Sequence, residues 1–366
     1  MLDGKPIVEA AEDVALLAPS ANNPRNSEGS FIELKDGTIM YAYSRYTGGD
    51  WDDHMPADIA AIYSKDGGKT WSEKPEILIK NKGRKGDNLM SVSLLRLKNG
   101  EIAMLYLEKS ISADGPLYCL PYIQFSSDEC KTWSKPVMCA QPQSKGYYVV
   151  NNDRLIQLKS GRLIAPAGFH KGVNRGITQK AILYVFYSDD NGRTWRESDW
   201  VLPREQKSRS GFQEPGVIEL DDGRLMMWTR TDQGCQYKTF STDGGATWTT
   251  AEPAPEFAGP NAPLSIRRNP ADGSLFAVWS NTAPAWGFPK PTKNSWGRTP
   301  LVIAVSRDGG KTWQSRTVLE SDHTRGFCYT AMHFTPDGSL LLAYCCGGKT
   351  LVPLQAVQIK KLKLCK

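Results

Sequence analysis

Short apolar segments separated by turns run along the whole chain. The first clear pair, residues 31–34 and 39–43, flanks a Lys-Asp-Gly turn at residues 35–37, and another apolar run follows at residues 59–63. Short apolar segments bounded by Gly and Asp are typical of β-strands joined by tight turns. No stretch sustains the 3.6-residue period of an amphipathic helix, so the pattern predicts an all-β chain and excludes a helical solenoid.

Two motifs recur at a regular interval. The first is an eight-residue Ser-x-Asp-x-x-x-Thr-Trp segment that occurs five times, with its aspartates at Asp66, Asp128, Asp190, Asp243 and Asp308. The second is a polar turn that leads into an apolar run and occurs six times, with its glycines at Gly37, Gly100, Gly161, Gly223, Gly273 and Gly338. Because the motifs interleave, the chain contains six repeating units of about 60 residues each.

For each unit the pattern predicts four strands, with a tight turn after the first, a longer loop after the second and a tight turn after the third. A four-stranded sheet of this size cannot cover both of its faces alone, whereas six such sheets around an axis bury each face against a neighbour. We therefore predict a single domain, residues 1–366, that folds as a six-bladed β-propeller.

The eight-residue motif resembles the Asp-box of the sialidase superfamily, and the resemblance covers essentially the whole chain. It implies structural turns on an outer rim, because an acid repeated five times cannot mark a unique active site. The second copy has Cys130 where the pattern expects glycine, so we expect a distorted or differently capped turn there. Asp-box propellers include non-enzymatic binding proteins, so the repeat indicates a fold and not an activity.

Composition argues against several functions. The formal net charge of +6 is modest and forms no Lys/Arg run, which disfavours nucleic-acid binding and fits scattered arginines that serve an acidic small ligand. No run approaches 18 apolar residues, so we expect no membrane span. The histidines and cysteines lack metal-site spacing, and no P-loop or dinucleotide motif occurs, so we expect no metal and no cofactor.

Compartment and assembly are less constrained by the sequence. The eight cysteines have no framework spacing, which favours free thiols in a reducing compartment. Residues 1–30 contain no signal-peptide pattern, so we expect a cytoplasmic protein unless a leader has been removed. The oligomeric state stays open.

Members of the sialidase superfamily hold a substrate carboxylate with three arginines, whose planar guanidinium groups form paired hydrogen bonds to it. The resemblance assigns this role to Arg25, Arg230 and Arg298. Arg25 has the expected position before the first turn, but the usual following Ile-Pro is missing. Arg267 and Arg268 are alternatives for the third arginine.

In the family, an acidic loop follows a further arginine and supplies the catalytic acid about five residues later. Here that arginine is Arg45, assigned to substrate binding, and the acid is Asp50. A carboxyl group over the site can protonate a leaving glycosidic oxygen and then deprotonate water. The competing candidates are Asp52, Asp53 and Asp58.

The family nucleophile is a tyrosine at the entry of the last unit, where this chain has Tyr329. A phenol with its ordinary pKa of about 10 needs a base to become nucleophilic. The resemblance assigns Glu214, which precedes Pro215, as that base, with Glu219 as the rival. A neutral nucleophile suits an anionic substrate, which a carboxylate would repel.

A polar cluster at residues 151–154 precedes the third glycine turn. We interpret Asn152 and Asp153 as contacts to substrate hydroxyl groups, with a capped turn as the alternative.

Together these assignments imply a retaining exo-glycosidase of sialidase type. It would release a terminal sialic acid, or a related acidic 2-keto sugar, from glycans through a tyrosyl-enzyme intermediate. The alternatives are a non-catalytic propeller that binds acidic glycans, an exo-glycosidase for a different acidic sugar, and a scaffolding propeller. The sequence does not decide between hydrolysis and transfer.

Overall fold

The computed structural model describes residues 3–83, 87–111, 117–144, 146–173, 176–201 and 207–365. Within these residues the chain is all-β, as the apolar pattern predicts, with 25 strands. Three short 3-10 helices accompany the strands: Pro142–Ser144, Pro284–Trp286 and Lys293–Ser295. Among the described helices, none has the length and apolar character that crossing a membrane requires.

The strands follow the chain as six groups, numbered 1 to 6, and each glycine turn lies near the start of one group. Group 1 contains β2 (Asn26–Glu33), β3 (Ile39–Tyr46), β4 (Ala57–Ser64) and β5 (Glu76–Ile79), and group 2 contains β6 (Asn88–Arg96), β7 (Ile102–Ile111), β8 (Leu117–Ser126) and β9 (Val137–Met138). Group 3 contains β10 (Tyr147–Val149), β11 (Ile156–Gln157), β12 (Leu163–Val173), β13 (Gly176–Ser188) and β14 (Arg196–Glu197). Group 4 contains β15 (Gln213–Glu219), β16 (Leu225–Arg230), β17 (Cys235–Ser241) and β18 (Glu252–Ala258), and group 5 contains β19 (Ser265–Arg268), β20 (Leu275–Ser280), β21 (Leu301–Ser306) and β22 (Gln314–Glu320). Group 6 contains β1 (Val8–Leu17), β23 (Gly326–Phe334), β24 (Leu340–Gly347) and β25 (Ala356–Leu364).

Neighbouring strands within each group pair antiparallel. Groups 1 to 3 form one 13-stranded sheet, because parallel bridges join Ala57 to Asn88 and Cys119 to Tyr147. Groups 4, 5 and 6 are separate four-stranded sheets. In group 6, β1 pairs with β25, so two segments far apart in the chain share one sheet.

Buried apolar side chains form six clusters, and each cluster lies between two groups that follow one another in the chain or between the last group and the first. Between groups 4 and 5, for example, the Phe257 and Trp279 rings pack edge to face with centres 5.3 Å apart. Ala331 of group 6 and Phe31 of group 1 belong to the cluster that joins those two groups. Burial of both faces of each sheet provides the main driving force for this packing.

The first strand of four groups contains a β-bulge at the same place. The residues in these bulges, Glu28, Ser91, Glu214 and Tyr329, have φ angles of 48°, 58°, 49° and 58°. Each one precedes the turn glycine of its unit by nine residues. A bulge inserts an extra residue and redirects its side chain, and positive φ values in residues other than glycine are concentrated at functional sites.

The Asp-box motifs form tight turns held by their aspartates. Asp66 Oδ1 accepts the backbone N–H groups of Lys69 and Thr70 at 3.0 and 2.9 Å, and the Thr70 hydroxyl donates to Oδ2 at 2.7 Å. These hydrogen bonds, led by the one from the Thr70 backbone, lower the pKa of Asp66 to about 2.

The copy that contains Cys130 keeps the same turn, so the expectation of a distorted turn is wrong. The Cys130 N–H donates to Ser126 Oγ at 2.8 Å, as the Gly68 N–H does to Ser64 Oγ at 2.9 Å. Cys130 adopts the left-handed conformation that glycine has in the other copy, with a φ of 68°. Its buried side chain packs in the cluster between groups 1 and 2, and this contact offsets the backbone strain.

Candidate active site

Tyr329 and Glu214 form a hydrogen-bonded pair between group 6 and group 4. The Tyr329 hydroxyl donates to Glu214 Oε1 at 2.8 Å, and the two residues are only 8% and 6% exposed. Both occupy bulge positions, in β23 and β15 respectively. The structure therefore brings together the two residues that the sequence analysis paired as nucleophile and base, while their roles stay predictions.

The environment of Tyr329 keeps its phenol protonated in this structure. Burial raises the pKa of Tyr329 well above its ordinary value, and the negative charge of Glu214 raises it further. The positive charges of Arg230 and Arg298 act in the opposite direction. Glu214 accepts the hydrogen bond of the phenol and is therefore in position to take its proton during a reaction.

Arg230 contacts both members of this pair. Its Nη1 lies 2.8 Å from Glu214 Oε2 and 3.4 Å from the Tyr329 hydroxyl oxygen. Its Nε and Nη2 both donate to Gln213 Oε1, at 3.0 and 2.6 Å. Gln213 precedes the bulge of β15 directly and fixes the plane of the guanidinium group.

Arg298 lies on the face of the same phenol ring. Its guanidinium carbon is 5.5 Å from the centre of the Tyr329 ring and 5.4 Å from the Trp296 ring. Its Nη1 donates to Cys328 Sγ at 3.1 Å. Two of the three predicted carboxylate-binding arginines are thus placed around Tyr329, one from β16 and one from the segment before β21.

Arg25 is fully enclosed, with none of its surface exposed. Its Nη1 donates to the Trp51 carbonyl at 3.2 Å and forms an ion pair with Asp53. Its Nη2 donates to Ser27 Oγ at 3.1 Å and lies 3.4 Å from Glu28 Oε1. The loop that carries Trp51 and Asp53 therefore covers Arg25 in this conformation.

This covering loop is held from two further directions. Lys109 of β7 donates from Nζ to the Asp53 carbonyl at 2.7 Å. The Trp51 and Trp296 rings lie with their centres 6.4 Å apart, which links the loop to the segment that carries Arg298. Burial raises the pKa of Asp53, but the charges of Arg25 and Lys109 outweigh this effect and hold it well below its usual range.

The predicted acid lies in the same loop but in a different setting. Asp50 is exposed, and its Oδ1 accepts the backbone N–H of Trp51 at 2.6 Å. Arg45 is half-buried at the end of β3, and within the described part of the chain its side chain forms no hydrogen bond or ion pair. No hydrogen bond joins Asp50 or Arg45 to Tyr329 or Glu214 in those residues, so both assignments stay predictions.

The sequence analysis missed Glu28, a buried carboxyl group next to Arg25. Glu28 is 3% exposed, and its Oε2 accepts the Ser91 hydroxyl at 2.9 Å. Burial raises its pKa to about 7, even though Arg25 acts in the opposite direction. Its spacing of nine residues from the turn glycine, which it shares with Glu214 and Tyr329, could have identified it.

Asn152 and Asp153 both bind other parts of the protein. Asn152 Nδ2 donates to the carbonyl oxygens of Gly29 at 2.7 Å and Tyr329 at 3.1 Å. Asp153 Oδ1 accepts the Ser30 hydroxyl at 2.8 Å, and Oδ2 accepts the Met332 N–H at 3.0 Å. This geometry favours a role in holding groups 1, 3 and 6 together, and the predicted contacts with substrate hydroxyl groups remain untested.

The rival candidates have partners elsewhere. Arg267 forms an ion pair with Asp153 at 2.6 Å, and Arg268 forms one with Asp221 at 2.9 Å.

The rival acids also have partners. Glu219 Oε2 accepts the Lys159 backbone N–H at 2.7 Å, and Asp58 accepts the Asn81 backbone N–H at 2.8 Å. In the described ranges, no group of three or more His, Cys, Asp or Glu residues is arranged to hold a metal ion.

Comparison with known proteins places this chain in a family. Residues 37–342 match the BNR repeat-like domain. The chain is 25% identical over 246 residues to a sialidase of Bacteroides fragilis, which covers 65% of this chain and 41% of the relative. It is 29% identical over 240 residues to a sialidase of Clostridium perfringens, which covers 60% of this chain and 59% of the relative. The matches thus span about half the length of these relatives.

The fold has a close counterpart among solved structures. The intramolecular trans-sialidase of Ruminococcus gnavus, solved in complex with oseltamivir carboxylate, superposes with a TM-score of 0.69 at 17% identity, covering 98% of each chain. At this identity the likeness concerns the fold. Since the family match extends over most of the chain, the protein belongs to the BNR repeat-like domain family of the sialidase superfamily.

Proposed function

We propose that this protein is an exo-glycosidase of sialidase type that removes a terminal acidic sugar from glycans with retention of configuration. The observation that carries the proposal is the hydrogen bond between Tyr329 and Glu214, with Arg230 and Arg298 beside it. A buried phenol with a carboxylate base and two flanking cations suits attack on the anomeric carbon of an anionic sugar. The sialidase relatives support the same activity.

The proposal includes a six-bladed propeller as the fold. Six strand groups, with an apolar cluster between each consecutive pair and another between the last and the first, support a closed ring. In such a ring the first strands surround the axis, which explains how bulge residues from groups 1, 4 and 6 converge.

The substrate carboxylate would bind to the arginine cluster. Arg230 and Arg298 border the phenol directly, whereas Arg25 is covered by Trp51 and Asp53. In our proposal the carboxylate of Asp53 occupies the place on Arg25 that the substrate carboxylate takes, so binding displaces the loop. The two anions compete for the same guanidinium group, which can form paired hydrogen bonds with either.

The covalent step uses Tyr329 and Glu214. As the phenol oxygen forms its bond to the anomeric carbon, Glu214 takes the phenolic proton and the glycosidic bond breaks. The leaving oxygen receives a proton from Asp50, and the ionised Asp50 then deprotonates the water that breaks the tyrosyl bond. In this last step the phenol recovers its proton from Glu214, and the site returns to its initial state.

Hydrolysis of a fluorogenic sialoside tests the proposal. We expect release by the wild type and a loss of at least about 1,000-fold in kcat for Tyr329→Phe, because the nucleophile is removed. Tyr63→Phe is a matched control, since Tyr63 also donates to a glutamate, Glu76, at 2.8 Å on the outer strands of group 1. Absence of release by the wild type, or release by Tyr329→Phe equal to that of the control, would contradict the proposal.

A different acidic sugar is the second candidate for the substrate. The residues after Arg25 are Asn26, Ser27 and Glu28 in place of the usual Ile-Pro, and Glu28 sits beside the arginine. A panel of a sialoside, a deaminated sialoside and a uronide separates these substrates. Saturable binding of every sugar without turnover would instead favour the non-catalytic glycan-binding alternative.

A further inference from the structure

A cavity of about 390 Å³ lies apart from the Tyr329 site, between groups 2, 3, 4 and 5. Its walls come from the parts of the first strands that run from the bulges towards the glycine turns, including Leu94, Ile218 and Ile266. Trp228 also lines it. The cavity is therefore a second space along the same inner strands, and its volume is in the range of small-molecule sites.

The charged residues of this cavity are mostly positive. Lys98, Arg154, Lys159, Arg267 and Arg268 line it, whereas the acids that line it are Asp153 and Glu219.

The two acids do not neutralise this excess of positive charge. Asp153 is occupied by Arg267 at 2.6 Å, and Glu219 Oε2 accepts the backbone N–H of Lys159 at 2.7 Å. Lys98 Nζ donates to the Lys159 carbonyl at 2.5 Å. Within the described residues, the ion pairs of this cavity involve Arg267 and Arg268, and none involves Lys98, Arg154 or Lys159.

Arg154 is one of these positive charges, and its burial carries a free-energy cost because water cannot solvate it. It is 4% exposed, and its Nη2 donates to the Leu264 carbonyl at 2.7 Å and to Ser265 Oγ at 3.3 Å. Its Nε has no acceptor within the described part of the chain. Burial lowers the pKa of Arg154 to about 10, although the negative charges of Asp153 and Glu214 act in the opposite direction. Among the described residues its hydrogen bonds all go to neutral acceptors, whereas a buried guanidinium group is normally paired directly with a carboxylate.

We propose that this cavity binds a small organic molecule carrying two or more negative charges, such as a polycarboxylate or a sugar phosphate. Arg154 at the inner wall would attract one anionic group through its positive charge, and Lys98 and Lys159 would bind the other. Trp228 and the aliphatic side chains would contact the carbon skeleton. The site is separate from the proposed glycosidase site and does not depend on it.

Isothermal titration calorimetry of the whole protein tests this site. Citrate and glucose 6-phosphate are the two anionic probes, and glucose is the neutral probe, all at matched ionic strength. We expect saturable binding of at least one anion with one molecule per chain and none of glucose. The comparison of citrate with glucose 6-phosphate shows whether carboxylate or phosphate is preferred.

Variants locate the binding. Lys98→Ala combined with Lys159→Ala should weaken it at least tenfold, because two of the three uncompensated cations are lost. Lys65→Ala combined with Lys69→Ala is the matched control, since it removes the same charge from an exposed Asp-box turn and should leave the affinity unchanged. Arg154→Gln should also weaken binding, and the lysine variant decides the outcome if Arg154→Gln does not fold.

Three results would overturn the proposal. One is the absence of saturable binding by either anion, and another is equal affinity in the two double-lysine variants. The third is binding that disappears in Arg230→Gln but persists in the Lys98 and Lys159 variant, since that would put the anion at the arginines of the candidate active site.

Discussion

Glu28 is a buried carboxyl group whose protonation changes the charge next to Arg25. Glu28 and Asp53 both form ion pairs with Arg25. Glu28 lies at the bulge position that Glu214 and Tyr329 occupy in their own groups. Burial raises its pKa from 4.5 to about 7, so the folded protein holds this proton more tightly than the unfolded chain does. At neutral pH this group is therefore partly protonated next to the first arginine.

The substitution Glu28→Gln tests this pKa. Because the folded-state pKa is raised, Glu28 makes the protein less stable as the pH rises from about 4.5 to about 7. Glutamine lacks this titration and can still accept the Ser91 hydroxyl. We expect the variant to be more stable than the wild type at pH 8 by about 3 kcal/mol, and similar to it at pH 4.5. Urea unfolding at both pH values measures this, and an equal difference at both would contradict the assigned pKa.

Substitutions of Asp50 and Asp53 should have different effects on the kinetics. Asp53 forms an ion pair with Arg25, whereas the Asp50 carboxyl group does not contact that arginine. Asp50→Asn should lower kcat by about 100-fold or more for an alkyl sialoside and far less for an aryl sialoside, whose leaving group needs no proton. Asp53→Asn should lower KM several-fold, because Arg25 is no longer covered by a competing anion. Initial rates with both substrates measure these effects. The reverse pattern would transfer the role of acid to Asp53.

At the scale of elements, two local devices recur through the repeats. The Asp-box closes the hairpin between the last two strands of a unit, and the bulge redirects a side chain from its first strand. The sequence motif predicts the Asp-box because all of its hydrogen bonds lie within eight residues. The bulge has no motif of its own, since the residue types at that position differ among Glu28, Ser91, Glu214 and Tyr329.

Asp308→Ala tests what an Asp-box contributes to stability. The Asp308 carboxylate accepts the Thr312 backbone N–H at 2.9 Å, the Lys311 N–H at 3.1 Å and the Ser306 hydroxyl at 2.8 Å. Its loss should lower the free energy of unfolding by about 1–3 kcal/mol at pH 7. Lys311→Ala, at an exposed position in the same turn, should change it by less than about 0.5 kcal/mol.

The same variant has an expected pH dependence. Hydrogen bonds, first those from Thr312, lower the pKa of Asp308 to about 2. A lowered pKa means that the contribution is present above the ordinary pKa of 3.8 and is lost as the pH falls towards about 2. The difference between wild type and Asp308→Ala should therefore shrink on acidification. A constant difference between pH 7 and pH 2.5 would contradict this reading.

At the scale of the whole molecule, β1 connects distant parts of the chain. It pairs with β25 over most of its length, and Lys360 of β25 lies 2.6 Å from Asp13 and 3.2 Å from Glu320. Without β1, the backbone groups of β25 would form an exposed sheet edge, which favours association with other chains.

Proline substitution in β1 tests whether the pairing of β1 with β25 stabilises the protein and prevents association. Ala10→Pro combined with Ala11→Pro removes two neighbouring N–H groups, one of which faces β25 in an antiparallel ladder. We expect a loss of at least about 3 kcal/mol in the free energy of unfolding and the appearance of larger species in size-exclusion chromatography. Ala10→Ser combined with Ala11→Ser is the control. Equal stability and size for both variants would show that β1 is dispensable.

The sequence by itself determined the all-β class, the six units and the family, because these depend on turn chemistry and apolar runs within short windows. It also singled out Arg230, Glu214, Arg298 and Tyr329, which the structure brings together, since unique residues stand out against a repeat.

Only the tertiary structure decided how the charges are shared around these residues. Arg25 pairs with Asp53 of a later loop in the same unit. The hydrogen bond between Glu28 and Ser91 and the contact between Asp153 and Met332 join residues from different units. Such contacts depend on which strands lie side by side and how far water is excluded, and neither property is local in the sequence. For that reason the sequence pattern could predict which residues belong to the site. The protonation state of each residue depends on burial and neighbouring charges, which only the folded structure provides.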